Sequence, residues 1–131
     1  MEYISVLLAA LAAFVFGAVW YTALSKPWMK AAGIPMKPDG TPDGNGSPMP
    51  FVVLAVALIL VSGMMRHVMA MSGLDTVAEG LMAGVGVGAF FITPWTAMNN
   101  AFGMRPWTLT LIDGGYAIAA CTIIGLVLTL L

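Results

Sequence analysis

Four long apolar stretches dominate the pattern of hydrophobic and polar positions along the chain. They cover residues 3–24, 51–71, 77–102 and 107–131. Each is close to or above the roughly 20 residues that a helix needs to cross the hydrocarbon core of a bilayer. Their apolar runs are continuous rather than alternating, which favours helices over the strands of a barrel. The pattern predicts an all-α, polytopic membrane protein with four transmembrane helices in two hairpins.

Composition supports this class. The chain has 131 residues, of which 60% are hydrophobic and 8% are charged, and its mean hydropathy is +0.96. Such a chain has too little polar surface to cover a soluble globule. The four stretches use almost the whole length, so we expect one transmembrane domain without a soluble catalytic module. Its surroundings are then a lipid bilayer, and we expect no nucleic-acid partner.

The first apolar stretch differs from a secretory signal peptide. It begins with the acidic sequence Met1-Glu2-Tyr3 and stays apolar as far as Leu24. A signal peptide needs a basic segment followed by a short apolar region. We therefore expect this stretch to be retained as a transmembrane helix.

Residues 33–50 are dense in proline and glycine, which predicts an aqueous connector without regular structure. Within it, Asp43, Asn45 and Ser47 resemble the first ligands of a calcium loop. The position that should supply the bidentate glutamate is Leu54, inside the second apolar stretch. A connector is accordingly favoured over a metal site.

The basic residues indicate an orientation. Lys26, Lys30, Lys37 and Arg105 fall on one side of the predicted membrane, and Arg66 falls on the other. Because cytoplasmic loops are enriched in lysine and arginine, both termini should face away from the cytoplasm. The candidate interface anchors, all toward the cytoplasmic side, are Trp20, Trp28, Trp95 and Trp107.

Two predicted helices carry small residues at every fourth position. These residues are Gly80, Gly84 and Gly88 in the third stretch, and Ala9, Ala13 and Gly17 in the first. Small residues allow helix backbones to approach closely where lipid removes the hydrophobic driving force. We expect the glycine face to meet a helix backbone, in this chain or in a neighbour. The small face of the first helix is a candidate to pack against it.

Asp113 has the most functional potential. Helix rise places it about two turns inside the fourth stretch and roughly level with Thr96. A carboxylate costs about 2.5 to 3.5 kcal/mol at mid-membrane, so its side chain should face the bundle. The other members of this predicted polar cluster are Arg105, Asn99, Asn100, Thr96, Tyr116 and Tyr21. A proton or ion relay, a ligand pocket and a hydrogen-bonded clasp are all open, and the lack of a second interior carboxylate favours the clasp.

The second stretch ends in a methionine-rich segment that contains His67. Thioethers with one histidine are a weak candidate for copper or pigment ligation. Adaptable packing and contact with lipid headgroups are favoured, because no second histidine or cysteine supports a site. We therefore expect no metal and no cofactor. The single cysteine, Cys121, forms no disulfide within the chain.

Several short motifs together resemble a known family. They are Gly17-Ala18-Val19-Trp20-Tyr21, Lys26-Pro27-Trp28-Met29, Asn99-Asn100-Ala101-Phe102, Arg105-Pro106 and Ile112-Asp113-Gly114-Gly115-Tyr116. Over nearly the whole chain the sequence resembles the bacterial family called domain of unknown function 1761. The resemblance implies a small four-helix protein of the bacterial cytoplasmic membrane, without an assigned activity. The proline-glycine loop departs from it, since that loop tends to be more charged and helical in such proteins.

Two function classes remain. The first is a structural or accessory membrane protein that packs through glycine-rich faces into a homo-oligomer or a larger membrane complex. The alternative is a small oligomeric channel or transporter that uses an inward-facing polar cluster of Asp113, Asn99 and Arg105. We expect no enzyme, because the sequence has no nucleophile with a base and no phosphate loop. The glycines of Gly84-Val85-Gly86-Val87-Gly88 follow no strand and do not fit the dinucleotide-binding pattern.

Overall fold

The protein is described by a computed structural model that covers residues 2–35, 38 and 48–131. Within those residues the backbone forms α-helices and one π-helical segment. Their bounds are α1 Glu2–Ala23, α2 Ser25–Ala32, α3 Met49–Met71, α4 Val77–Gly86, the π segment Val87–Ile92, α5 Thr93–Phe102 and α6 Trp107–Leu130. Most of the connector at 33–50 lies outside the described residues, as do Lys37 and the calcium-loop candidates Asp43, Asn45 and Ser47.

Among the described residues, four helices are long and apolar enough to cross a membrane. They are Tyr3–Ala23, Met49–Met71, Val77–Phe102 and Trp107–Leu130. The prediction of an all-α protein with four spans is confirmed. The second span begins two residues earlier than expected, because Pro50 lies in its first turn, where a missing backbone N–H costs nothing.

The last helix, α6, is the centre of the fold. It packs against α1, against α2 and against all three segments of the third span, whereas α3 rests mainly on α1. The side chains of Ile124 and Leu128 on α6 are almost fully buried. Residues on a single helix therefore hold most of the bundle together.

The glycine face of the third span packs directly on the backbone of α6. A Cβ atom added at Gly84 would lie 2.5 Å from Cα of Thr122, and one at Gly88 would lie 2.5 Å from Cα of Ile118. Gly80 meets Gly125 of α6 in the same way, backbone against backbone. These contacts leave no space for side chains, so the glycines permit the close approach of the two helices.

The expected pairing of the two small-residue faces is wrong. Gly17 of α1 lies against the ring of Tyr116 on α6, not against the glycines of the third span. Ala9 and Ala13 are fully buried in a core that also contains residues of α6. The reason is that α6 packs against α1 on one face and against the third span on another. Its Gly125 lets the backbone of Gly80 approach closely.

The third span changes its hydrogen-bond pattern midway. In the π segment the ladder widens, and both the backbone N–H and the hydroxyl of Thr93 donate to the carbonyl of Gly88, the hydroxyl at 2.7 Å. Pro94 follows immediately and cannot donate a backbone hydrogen bond, so the helix must adjust in the preceding turn. The adjustment turns Thr93 toward α6. At the start of the span, Thr76 and Glu79 form a capping box that fixes the first turn of α4.

Candidate functional site

Asp113 joins three helices. Its Oδ1 atom accepts a hydrogen bond from the Tyr21 hydroxyl of α1 at 2.7 Å and one from Nε1 of Trp28 of α2 at 3.1 Å. The carboxyl group is partly buried, about 9 Å along α6 from the beginning of that helix at Trp107. We refer to Asp113, Tyr21, Trp28 and the adjoining Trp20 and Tyr116 as the Asp113 cluster.

Two aromatic side chains of the cluster connect α1 and α6, each through a hydrogen bond to a backbone carbonyl of the other helix. Nε1 of Trp20 on α1 donates to the carbonyl of Ile112 at 3.0 Å. The hydroxyl of Tyr116 on α6 donates to the carbonyl of Ala13 at 2.9 Å. Each polar tip of a large ring therefore has a partner, as buried tyrosine and tryptophan require.

Two glycines make room for these rings. A Cβ atom at Gly17 would lie 2.8 Å from the Tyr116 hydroxyl oxygen, and one at Gly115 would lie 2.9 Å from Cζ2 of Trp20. Real Cβ atoms essentially never approach that closely. A side chain at either position would push the aromatic ring away from its carbonyl partner.

The aromatic rings also contact one another. Tyr21 lies edge-on to Tyr116 with ring centroids 5.3 Å apart, and edge-on to Trp28 with centroids 5.7 Å apart. Phe16 stacks on Tyr116 at 6.2 Å. Such pairs stabilise the arrangement beyond their area of burial. Asp113 is thus held at the edge of a packed aromatic group.

Further hydrogen bonds connect the third span to α6. Nδ2 of Asn100 donates to the hydroxyl of Thr110 at 3.0 Å, across the turn between α5 and α6. The Thr93 hydroxyl lies 3.3 Å from the carbonyl of Gly114, in addition to its bond to Gly88. The position next to Asp113 is therefore fixed from the side of the third span as well.

Arg105 holds the end of α2. Its Nη1 atom donates to the carbonyl of Ala32, the last residue of α2. Gly33 follows in the left-handed conformation, with φ of 75°, and ends the helix. A terminal carbonyl that has no partner within the helix thereby receives a charged donor.

The structure brings together part of the predicted polar cluster. Tyr21 and Tyr116 lie beside Asp113, but Arg105 bonds to α2, and Asn99 lies at the exposed end of α5. The contact with this level of α6 comes from Thr93 rather than from Thr96. An ideal helix repeat, counted from the turn, predicts Thr96 at this level. The π segment changes the rotation of the helix, so Thr93 takes that position instead.

Sequence reasoning missed the role of two tryptophans. Trp20 and Trp28 were expected to be interface anchors, yet both donate hydrogen bonds within the cluster. The signal was present, since an indole N–H inside a membrane protein needs an acceptor and Asp113 was the one interior carboxylate. Trp95 and Trp107 are exposed, as an anchor would be.

His67 lies on the exposed side of α3. Among residues 2–35, 38 and 48–131, no three histidine, cysteine, aspartate or glutamate side chains come together as a metal site would need. Cys121 is buried in α6 as a free thiol, at the contact with Gly84.

The fold and the cluster define a small four-span, α-helical membrane protein whose first, second and last helices meet at one carboxylate. The chain belongs to the family described as protein of unknown function (DUF1761), which it matches over residues 4–129. Comparison with curated proteins and with solved structures gave no match. The motifs through which the sequence resembles the family supply all five members of the Asp113 cluster.

Proposed function

We propose that the protein is a structural or accessory component of the cytoplasmic membrane and does not catalyse a reaction. The observation that supports this is the use of Asp113 as a joint: one carboxylate oxygen accepts bonds from α1 and from α2. A group used in this way contributes to the fold of the chain. The carboxylate then acts as a clasp that fixes α2 against the bundle.

The energetics favour a clasp at this place. A carboxylate within a membrane is costly, less so near the interface, and the cost falls when donors replace the lost water. Tyr21 and Trp28 are such donors. Hydrogen bonds between membrane helices average about 0.6 kcal/mol and reach about 1.7 kcal/mol. One such bond ties α2 to the carboxyl oxygen through Trp28, and the other ties α1 to it through Tyr21.

Assembly with itself or with a larger membrane complex would use outward-facing surfaces. Both small-residue faces are buried inside the bundle, so they are not available to a neighbouring protein. The span α3 rests mainly on α1, which leaves its other sides open to lipid. Its large exposed apolar residues include Phe51, Val52, Val53, Val56, Leu60 and Met64. We propose this surface, rather than the glycine face, as the place where a protein partner would displace lipid.

The proposed orientation keeps both termini on the non-cytoplasmic side. Lys26 and Lys30 are exposed on α2, and Arg105 is bonded to the end of the same helix. These three cations share one end of the bundle, while Arg66 lies near Leu128 at the other end. The positive-inside tendency supports a cytoplasmic position for the end that carries α2.

The alternative, a small oligomeric channel or transporter, draws on one observation. Both donors to Asp113 end on Oδ1, and the side chain is only partly buried. The second oxygen could therefore serve a proton or cation. Of the residues expected to line a vestibule with it, Arg105 is instead bonded to Ala32 and Asn99 is exposed.

Reconstituted protein distinguishes the two functions. Wild type and Asp113→Asn are placed in liposomes, and proton, sodium and potassium flux is measured together with the melting temperature. The asparagine oxygen can still accept from Tyr21 and Trp28, so we expect a similar melting temperature in both proteins and no flux above empty liposomes. Flux in the wild type that Asp113→Asn abolishes would contradict the structural function. The mass of the purified particle, with any protein that accompanies it, tests the accessory role.

A further inference from the structure

The short helix α2 has two different sides. Met29 and Ala31 are buried, Met29 to 2% exposure, and Trp28 is held by Asp113. On the outer side, Lys26 and Lys30 are exposed. Hydrogen bonds and packing thus fix the helix in one rotation, and its two lysines point away from the bundle.

The lysines share one end of the bundle with Arg105. Lys26 and Lys30 are four residues apart, so they are neighbours on one face of α2. Arg105 reaches the same helix through its bond to the Ala32 carbonyl, and Gly33, next in the chain, lies against its guanidinium. Three of the five lysine and arginine residues of the chain therefore lie on, or bond to, one helix of eight residues.

Exposed apolar side chains adjoin this group. Phe102 and Trp107 flank the turn that carries Arg105, and they are 87% and 69% exposed. A basic surface next to an open apolar surface matches a molecule with an anionic head and an apolar tail. A small soluble anion would match only the basic surface.

We propose that Lys26, Lys30 and Arg105 form a binding surface for the headgroup of an anionic phospholipid, with Phe102 and Trp107 beside its acyl chains. Basic residues fixed at the end of transmembrane helices attract anionic headgroups, and each one near the surface contributes. The contacts that hold α2 in place arrange these charges in advance, so little order is lost on binding. Lipid binding at this surface is independent of the proposed accessory role, because either can fail alone.

Quenching of tryptophan fluorescence by brominated lipids tests the proposal. Purified protein is reconstituted in mixtures of phosphatidylcholine and phosphatidylglycerol, with the bromine on one lipid at a time, which gives the relative affinity for the two lipids. Trp28 on α2 and Trp107 beside Arg105 act as reporters. We expect the wild type to prefer phosphatidylglycerol and the double variant Lys26→Gln, Lys30→Gln to lower that preference roughly 30-fold.

The matched control keeps the charges. The double variant Lys26→Arg, Lys30→Arg should retain the preference of the wild type, since these exposed positions carry no packing role. An equal preference in wild type and the glutamine variant would overturn the proposal, as would loss of the preference in the arginine variant. Reversal of the preference by millimolar inorganic phosphate, at constant ionic strength, would show that a free anion rather than a lipid is the ligand.

Discussion

The hydroxyl of Tyr21 on α1 donates a hydrogen bond of 2.7 Å to Oδ1 of Asp113 on α6, across 92 positions of sequence. The same oxygen accepts from Trp28 on α2. Because α6 also packs against the entire third span, this atom lies where the two helical hairpins meet. Loss of this acceptor oxygen is therefore expected to affect how α1 and α2 pack on α6.

Replacement of the central glycine of the third span should disrupt the fold itself. In Gly84→Leu the new Cβ would lie 2.5 Å from Cα of Thr122, and neither backbone can move away easily. We expect a loss of roughly 3 kcal/mol or more in the free energy of unfolding, at the upper end of overpacking effects. Detergent-induced unfolding measures it.

Gly86→Leu is the matched control for that change. Gly86 lies on the same helix, and a Cβ there would have nothing within 4 Å. Its effect should stay within about 0.5 kcal/mol. Equal stability of the Gly84 and Gly86 variants would show that the glycine face does not contact α6.

Gly17 and Tyr116 should be energetically coupled. Gly17→Ala introduces a Cβ 2.8 Å from the Tyr116 hydroxyl oxygen, and we expect a loss of about 1 to 3 kcal/mol. Tyr116→Phe removes that oxygen along with its bond to Ala13. The alanine should then cost less, by roughly 1 kcal/mol, in the phenylalanine background. A double-mutant cycle measures the difference, and an identical cost in both backgrounds would refute the contact.

Thr93 should matter more than Thr96, although the sequence pointed to the latter. Thr93→Val keeps the shape of the side chain but removes the donor to Gly88 and Gly114, and we expect a loss of about 1 kcal/mol. Thr93→Ser keeps the hydroxyl and should lose less. Thr96→Val serves as the control and should be close to neutral. The reverse order of the two valine variants in unfolding titrations would contradict the described register.

The orientation can be measured with single cysteines in a Cys121→Ala background. Met104 lies in the exposed turn between α5 and α6, and Ser72 lies in the exposed turn after α3. A membrane-impermeant thiol reagent applied to spheroplasts should label Ser72→Cys directly and Met104→Cys only after permeabilisation. Labelling of Met104→Cys in intact spheroplasts would reverse the proposed topology.

The spans were readable from sequence because each depends on a local property, a run of apolar residues as long as the bilayer is thick. The interior position of Asp113 followed from the cost of a carboxylate in lipid. The sequence did not show whether Tyr21 or Arg105 is the partner of Asp113. That choice depends on the break at Leu24, after which α2 begins as a separate helix. Hydropathy alone gives no information on such a break.

The helix pairing was harder to read for a related reason. Both Gly84 and Ala13 lie on small-residue faces, and the pattern shows that such faces meet something without showing what. The long packed surface of α6 decided the pairing, through the small residue Gly125 and the large ring of Tyr116. The π segment likewise places Thr93, rather than Thr96, against α6, a rotation that an ideal helix repeat does not predict.

We propose that Asp113 is a structural joint, and a double-mutant cycle between Tyr21→Phe and Asp113→Ala measures the bond on which this role depends. Free energies of unfolding are measured for the wild type, the two single variants and the double variant. A cycle with Tyr3→Phe, at an exposed tyrosine of the same helix, serves as the control. We expect a coupling of about 0.6 to 1.7 kcal/mol between Tyr21 and Asp113, and none between Tyr3 and Asp113. A Tyr21 coupling no larger than that of Tyr3 would show that Asp113 does not hold α1 on α6.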